Sequence, residues 1–400
     1  MTVYNPFNPA NTKDPYPVYK QMREEAPVWA GPLFGEVFVS RHADCVAILR
    51  DAERFSSDPS NLIRAEELSP QSIGGVFLSG KVMLFSDPPD HSRLRRLAQH
   101  AFSPSAIEGW RPRVRALATD LLAEYGPGDE CEVMDALARP LPVVVIAELL
   151  GVPVSDHEKF ASWSTPLARM IDPDTNMVES DYNAAMLAAM EFVGYFNGLI
   201  EERRGSPRDD VLSALIAAEE EGDRLTHDEL LINLILLLIA GHETTSNLIG
   251  NGALALCEDP VARDQFVADP DGLARTAVDE FLRYDSPVQF TARTAKVDVD
   301  VHGVTLEKGR QALVMLAGAN RDPAAFENPD QLNLTRTPNN HLAFSNGIHF
   351  CLGAMLARME GQEAFPALLK KFPNLARVND ELVYRPNMTL RGLAELQVTG

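Results

Sequence analysis

Cysteine is sparse. The 400 residues hold four, Cys45, Cys131, Cys257 and Cys351, far apart and without a repeated spacing. That scatter offers no disulfide framework and suits a reducing cytoplasm better than a secreted scaffold. Positive charge is also scarce: 36 Lys and Arg stand against 57 Asp and Glu, for a formal net charge of −21. Such a balance argues against nonspecific nucleic-acid binding and against an anionic membrane surface, and favours solubility. Long hydrophobic runs are missing too. The longest, Leu230 to Gly241, is interrupted by Asn233. It falls short of the roughly 20 residues a bilayer crossing needs, so a buried helix is expected there. The opening Met1-Thr-Val-Tyr-Asn-Pro-Phe-Asn-Pro is neither basic nor apolar, and neither a signal peptide nor a membrane anchor is expected. No Gly/Ser-rich linker, low-complexity tract or internal repeat divides the chain. With 45% hydrophobic residues it can bury one large core, and a single domain over residues 1–400 is expected.

What is present centres on Phe344-Ser-Asn-Gly347-Ile-His349-Phe-Cys351-Leu-Gly353, running on into Ala354-Met-Leu-Ala-Arg358-Met-Glu360. A glycine-punctuated loop delivers Cys351 to the start of a helical run, where unpaired N–H groups and the positive dipole end favour a thiolate. A lone cysteine more often reads as a small buried hydrophobe. Here Gly347 and Gly353 flank the sulfur, which fits a site where something approaches the backbone closely. Zinc fits poorly, because His349 and Cys351 lack a second nearby pair of ligands. Ligation of haem iron needs one axial cysteine.

The pattern Phe-x-x-Gly-x-His-x-Cys-x-Gly resembles the signature of the cytochrome P450 haem-thiolate monooxygenases. That resemblance implies a mainly α fold with small β-sheets, a β-rich N-terminal lobe and a larger helical lobe. Haem b (iron protoporphyrin IX) would lie between a long central helix and the cysteine-ligand loop. Cys351 becomes the iron ligand, His349 a propionate contact, and Phe344 and Gly353 haem neighbours. Ser345 departs from the glycine often found at its position.

Thr226-His-Asp-Glu229 has capping-box spacing and predicts the start of the central helix, which should reach about Leu256. Leu236, Ile239, Ala240, Glu243 and Thr244 share one stripe of it by helical periodicity. Taken alone, Glu243 to Thr245 reads as a polar segment near a surface. Ala240-Gly-His-Glu243-Thr244-Thr245 resembles the family's Ala-Gly-x-acid-Thr signature. That resemblance puts Ala240 and Gly241 at the haem, with Gly241 letting the helix distort. It makes Glu243 and Thr244 the catalytic pair that organises water for proton delivery. Glu243 replaces the aspartate of many bacterial relatives, which alters its reach.

His91 and Arg95, four residues apart, share a helix face and read either as a solvated basic face or as a grip on one anion. The resemblance makes them propionate ligands together with Arg293. Glu280-Phe-Leu-Arg283, followed later by Arg336, resembles the family's structural triad around the haem loop. Pro27 to Ser40 predicts a β-hairpin and the residues from His42 to about Asp51 a helix. Pro366 is expected to end or kink the helix after Cys351. The irregular stretch 55–87 reads either as a functional loop or as disorder; the resemblance makes it a cap on the substrate with Phe77 and Leu78 as candidate contacts, and an expected lid near Ile171 adds Met170, whose alternative is core packing. Leu236, Ile239, Val288, Phe290 and Met388 complete the candidate pocket, with Gln289 beside them. These residues are mostly apolar, which points to a lipophilic substrate. Arg93, Arg96, Arg111, Arg113 and Arg115 read either as ordinary surface charge or as a docking patch for an acidic electron carrier.

The implied activity inserts one oxygen atom from O2 into a lipophilic small molecule, by hydroxylation or epoxidation. Electrons would come from a ferredoxin-type donor and its reductase. Two alternatives stay open: a peroxygenase fed by hydrogen peroxide, and a non-catalytic haem sensor or carrier. The presence of both the acid and the threonine counts against each. A cytoplasmic monomer with no nucleic-acid or membrane partner is expected.

Overall fold

A computed structural model describes the chain apart from residues 1–7, 32–35, 64–80, 100–101, 127, 170–177 and 221–224. Phe77, Leu78, Met170 and the expected lid around Ile171 lie outside the described residues.

The helices are α1 (Tyr16–Glu25), α2 (His42–Arg50), α3 (Asp90–Gln99), α4 (Pro104–Leu121), α5 (Pro140–Leu149), α6 (His157–Arg169), α7 (Glu179–Gly205), α8 (Val211–Glu220), α9 (His227–Glu258), α10 (Pro260–Ala268), α11 (Pro270–Tyr284), α12 (Leu316–Ala319) and α13 (Ala354–Lys371). The strands are β1 (Val28–Ala30), β2 (Val37–Val39), β3 (Phe55–Ser56), β4 (Cys131–Glu132), β5 (Thr291–Ala295), β6 (Val299–Val301), β7 (Val304–Leu306), β8 (Gln311–Val314), β9 (Ala376–Arg377) and β10 (Gln397–Thr399). They form a five-stranded sheet in the order β1-β2-β8-β5-β3, a three-stranded sheet β4-β10-β9 and the pair β6-β7. The architecture is mainly α with small sheets.

Helix α9 organises the rest. Its capping box is complete: the Thr226 hydroxyl accepts from the Glu229 N–H at 3.1 Å, and the Glu229 carboxylate accepts from the Thr226 N–H at 2.8 Å. A reciprocal cap of this kind satisfies two of the helix's orphan donors. Its apolar residues face neighbours nearly all round, because α5, α6, α11 and α13 pack against it. Asn233, the one polar break in the apolar run, holds a neighbouring segment. Its side chain donates to Glu229 O at 2.7 Å and Lys81 O at 3.1 Å, and accepts from Met83 N at 3.1 Å. Among the described residues α9 is one helix long and apolar enough to cross a membrane, yet 67% of its most apolar window is buried inside the protein.

The expected hairpin is β1 and β2, paired antiparallel from Val28↔Val39 to Ala30↔Val37. Strand β2 lies parallel to β8, and β8 is antiparallel to β5. That register sets Arg293 opposite Ala312, on the wall of the cavity described below. A second apolar cluster, with Val37, Ile48, Ala312 and Leu342 among its members, fills the space between this sheet and α2.

Helix α13 departs from expectation: it runs unbroken through Pro366 to Lys371. An internal proline costs about 3 kcal/mol. Phe365, Leu368 and Leu369 are buried around it, and each contributes roughly 1.5–3 kcal/mol of burial, enough to outweigh that cost.

The loop leading to Cys351 hangs from α11. Glu280, fully buried, accepts from Arg283 Nε and Nη2 at 2.8 Å each, from Arg336 Nε at 3.0 Å, from Asn333 N–H at 2.9 Å and from Asn339 Nδ2 at 3.2 Å. The guanidiniums reach onward to carbonyls of Asn320, Pro329 and Glu327 at 2.8–2.9 Å. Sequence spacing pointed to the Glu280–Arg283 pair and the family resemblance added Arg336; here the three tie residues 327–339 to one helix.

Candidate active site

One cavity of about 620 Å³ lies between α9, the cysteine loop and strand β5. Cys351 opens onto it at the end of a tightly determined loop. Cys351 N–H donates to Phe344 O at 2.9 Å, Ser345 N–H to Leu342 O at 2.8 Å, and Asn346 Oδ1 accepts from Gly347 N–H at 2.7 Å and Arg50 Nε at 3.0 Å. Gly347 has φ +71°, and a Cβ there would collide with the Leu49 carbonyl, so glycine is required. Ser345 also has a positive φ, 60°; this is the local turn geometry that its departure from glycine left open. Cys351 is exposed to the cavity but lies deep within the protein, and that desolvation pushes its thiol up, while the Gly353 N–H and the charges of Arg95 and Arg358 pull it back.

His91, Arg95, Arg293 and His349 meet at one end of the cavity. The two imidazole rings lie 4.2 Å apart by centroids. Burial, and then the neighbouring Arg95 charge, lower His91 to about 4. Burial, followed by Arg293, His91 and Arg95, lowers His349 to about 2. Burial alone lowers Arg293, to about 10. Both Nε2 atoms are buried without a hydrogen-bond partner, a state that is costly unless a ligand completes it. Two guanidiniums and two open imidazole nitrogens complement a pair of carboxylates, and the Cys351 sulfur on the cavity wall could serve as an iron ligand. The donor set therefore fits haem b, with its two propionates and its iron.

Of the remaining sequence candidates, Leu236, Ala240, Gly241, Thr244, Val288, Phe290, Phe344, Gly353 and Met388 line the cavity. Thr244 Oγ1 donates to Ala240 O at 2.7 Å. Helix α9 is continuous through Gly241. A Cβ there would come within 3.2 Å of Ile146, so this glycine lets α5 approach closely. Two members of the expected stripe do not face the cavity. Ile239 sits in the main core at 2% exposure. Glu243 is buried at 2% exposure beside α6 and the segment between β9 and β10, where Arg385 forms an ion pair with it and Thr165 Oγ1 donates to it at 3.3 Å. The cause is helical geometry: successive residues point about 100° apart, and the cavity-facing stripe follows 236/237, 240/241, 244/245 and 248. Gln289 also turns away, accepting from Tyr19 OH at 2.8 Å and donating to Ser286 O at 2.6 Å.

Several contributors escaped the sequence reading. Glu360 lines the cavity, is 1% exposed, and carries an Oε2 without a partner; burial raises its pKa well above the usual carboxylate range. The signal was available, since Leu356, Ala357 and Glu360 share one face of the helix that follows Cys351. Arg385 carried no local signal. The arginines read as a possible docking patch are mostly engaged internally. Arg93 pairs with Glu229 at 2.6 Å, Arg113 with Glu148 at 2.5 Å, and Arg111 and Arg115 with Glu363 at 2.8 and 2.7 Å. Those bonds support the reading of ordinary surface charge.

A family model described as Cytochrome P450 matches residues 31–267 and 273–390. The chain is 39% identical over 407 residues to the polyketide biosynthesis cytochrome P450 PksS of Bacillus subtilis, covering 99% of this chain and 98% of the relative. It is 40% identical over 396 residues to a vitamin D(3) 25-hydroxylase of Pseudonocardia autotrophica, covering 97% and 94%. The ligand-free crystal structure of CYP164A2 from Mycobacterium smegmatis superposes with a TM-score of 0.89 at 40% identity, covering 99% and 98% of the two chains.

Proposed function

The chain belongs to the cytochrome P450 family, and on that premise we propose that it hydroxylates or epoxidises a lipophilic small molecule with one atom of O2, using electrons from a ferredoxin-type donor and its reductase. As a family member it is a monooxygenase with haem b as cofactor. The observation that carries the finer reading is the cavity: a cysteine sulfur, a cationic end and an otherwise largely apolar wall. The relatives named for polyketide biosynthesis and vitamin D(3) hydroxylation agree with a lipophilic substrate of moderate size.

Haem b, once bound, supplies the activation of O2. Cys351 would hold it as thiolate, and His91, Arg95, Arg293 and His349 would hold its propionates. Ala240, Gly241, Phe344 and Gly353 would contact it. Leu236, Val288, Phe290 and Met388 would orient the substrate and exclude water, which strengthens every polar interaction left inside. The Thr244 hydroxyl, bonded to its own helix at 2.7 Å, would turn to hold a water at the reacting centre. Glu243 would replenish its proton from behind, once Arg385 releases the carboxylate. Glu280, Arg283 and Arg336 would maintain the loop. We place the enzyme in the cytoplasm as a monomer built as one domain over residues 1–400.

The test is twofold. The reduced, carbon monoxide-treated protein should show a red-shifted Soret band that Cys351→Ala abolishes. Product should then form from lipophilic candidates with ferredoxin, reductase and O2. Product formed only with hydrogen peroxide would replace this reading with the peroxygenase, and a thiolate spectrum with no product under either regime would favour the sensor or carrier.

A further inference from the structure

A second acidic residue on α11, Asp279, lies next to the one that anchors the loop, and the activity described so far does not use it. Its Oδ1 accepts from Arg358 Nε at 2.7 Å and from His341 Nε2 at 3.2 Å. The tautomer is set by the other ring nitrogen, because His341 Nδ1 accepts from the Ala343 N–H at 3.2 Å; the Nε2 atom therefore carries the hydrogen. The Arg358 guanidinium lies over the Phe344 ring, 4.5 Å from its centroid, and His341 flanks the same ring at 5.6 Å. Phe344 O in turn receives the Cys351 N–H at 2.9 Å. An unbroken chain of contacts thus runs from α11 through Arg358 on α13 to the backbone of the cysteine.

We propose that Arg358, set in place by Asp279 and His341, is a positioning residue for the thiolate: it clamps Phe344 over the cysteine loop and supplies a fixed positive charge on the sulfur side of the site. The cation–π geometry makes the ring a spacer that holds the charge at constant distance. A cation held there stabilises added negative charge, so it raises the one-electron reduction potential of the ligated iron.

The inference rests on Cys351 as the iron ligand. If wild type lacks the red-shifted carbon monoxide band, that assignment fails; if wild type has it, the variants decide this proposal alone. Spectroelectrochemical titration of the haem-loaded protein is the measurement. Arg358→Gln should lower the potential by about 59 mV, a tenfold change for one electron, and Arg358→Lys should keep at least half of the wild-type advantage. An unchanged potential in Arg358→Gln overturns the proposal, as does an equal fall in both variants, which would make the role one of packing. Should Arg358→Gln fail to retain haem, Asp279→Asn decides: removing the counter-charge must raise the potential, and no change or a fall overturns the idea.

Discussion

Glu280→Gln is the perturbation that most directly tests how the cysteine loop is held. The wild-type carboxylate is fully buried between two guanidiniums, with Arg283 at 0% and Arg336 at 9% exposure. The substitution keeps shape and volume, yet leaves two buried cations without an anion and turns an amide N–H toward donors. Removing one partner of a buried ion pair costs about 3–5 kcal/mol, because the surviving charge is stranded. Carbonyls already bonded to Arg283 and Arg336 soften the loss, so about 3 kcal/mol is the expected effect. Against a total stability of about 5–15 kcal/mol this is a large fraction. Urea unfolding of the haem-loaded protein, followed by circular dichroism and by the Soret band, should show a lower midpoint with an unchanged slope. Adding Arg336→Met removes one stranded cation, so the double variant should lose at least 1 kcal/mol less than the sum of the single losses. A midpoint within about 0.5 kcal/mol of wild type, or strict additivity in the double variant, would refute the claim that this cluster works as one electrostatic unit.

Gly347→Ala forces an L side chain into φ +71° and against the Leu49 carbonyl; about 1–2 kcal/mol of conformational cost plus the clash should show as faster haem loss to an acceptor protein. Pro366→Ala restores a helix donor on α13, and calorimetry should find a higher Tm, bounded by about 3 kcal/mol of gain. Arg385→Met strands the buried Glu243, so Tm should fall, with about 1–3 kcal/mol lost in stability. Haem-free protein should weaken on acidification. His91 is held near about 4 in the fold against about 6.5 unfolded, so its contribution is intact above about 6.5 and is lost as pH falls toward the folded value. His91→Phe should flatten that profile in urea titrations.

Where a motif is local, the sequence disclosed it: the cysteine loop, the Thr226 capping box and the Glu280/Arg283 spacing all sit as expected because their partners are within a few residues or impose a known backbone shape. Partners distant in the chain were invisible. Ile146 explains Gly241, Glu363 explains Arg111 and Arg115, and Arg385 explains the burial of Glu243. Pro366 misled because local propensity is overridden by the apolar residues packed around it. The stripe containing Ile239 and Glu243 was drawn too wide, since periodicity gives a direction along the helix but not the width of the cavity it faces.

The burial of α9 has a consequence for synthesis. This helix, apolar enough to resemble a bilayer span, ends at Glu258, while α13, which covers part of it, ends at Lys371. The interval is 371 − 258 = 113 residues. At about 5–20 residues per second it takes roughly 6–23 s to translate. For that time a greasy helix has left the ribosome without its full cover. Apolar surface left open for that time is prone to aggregate, so expression yield should depend on translation speed between those two helices.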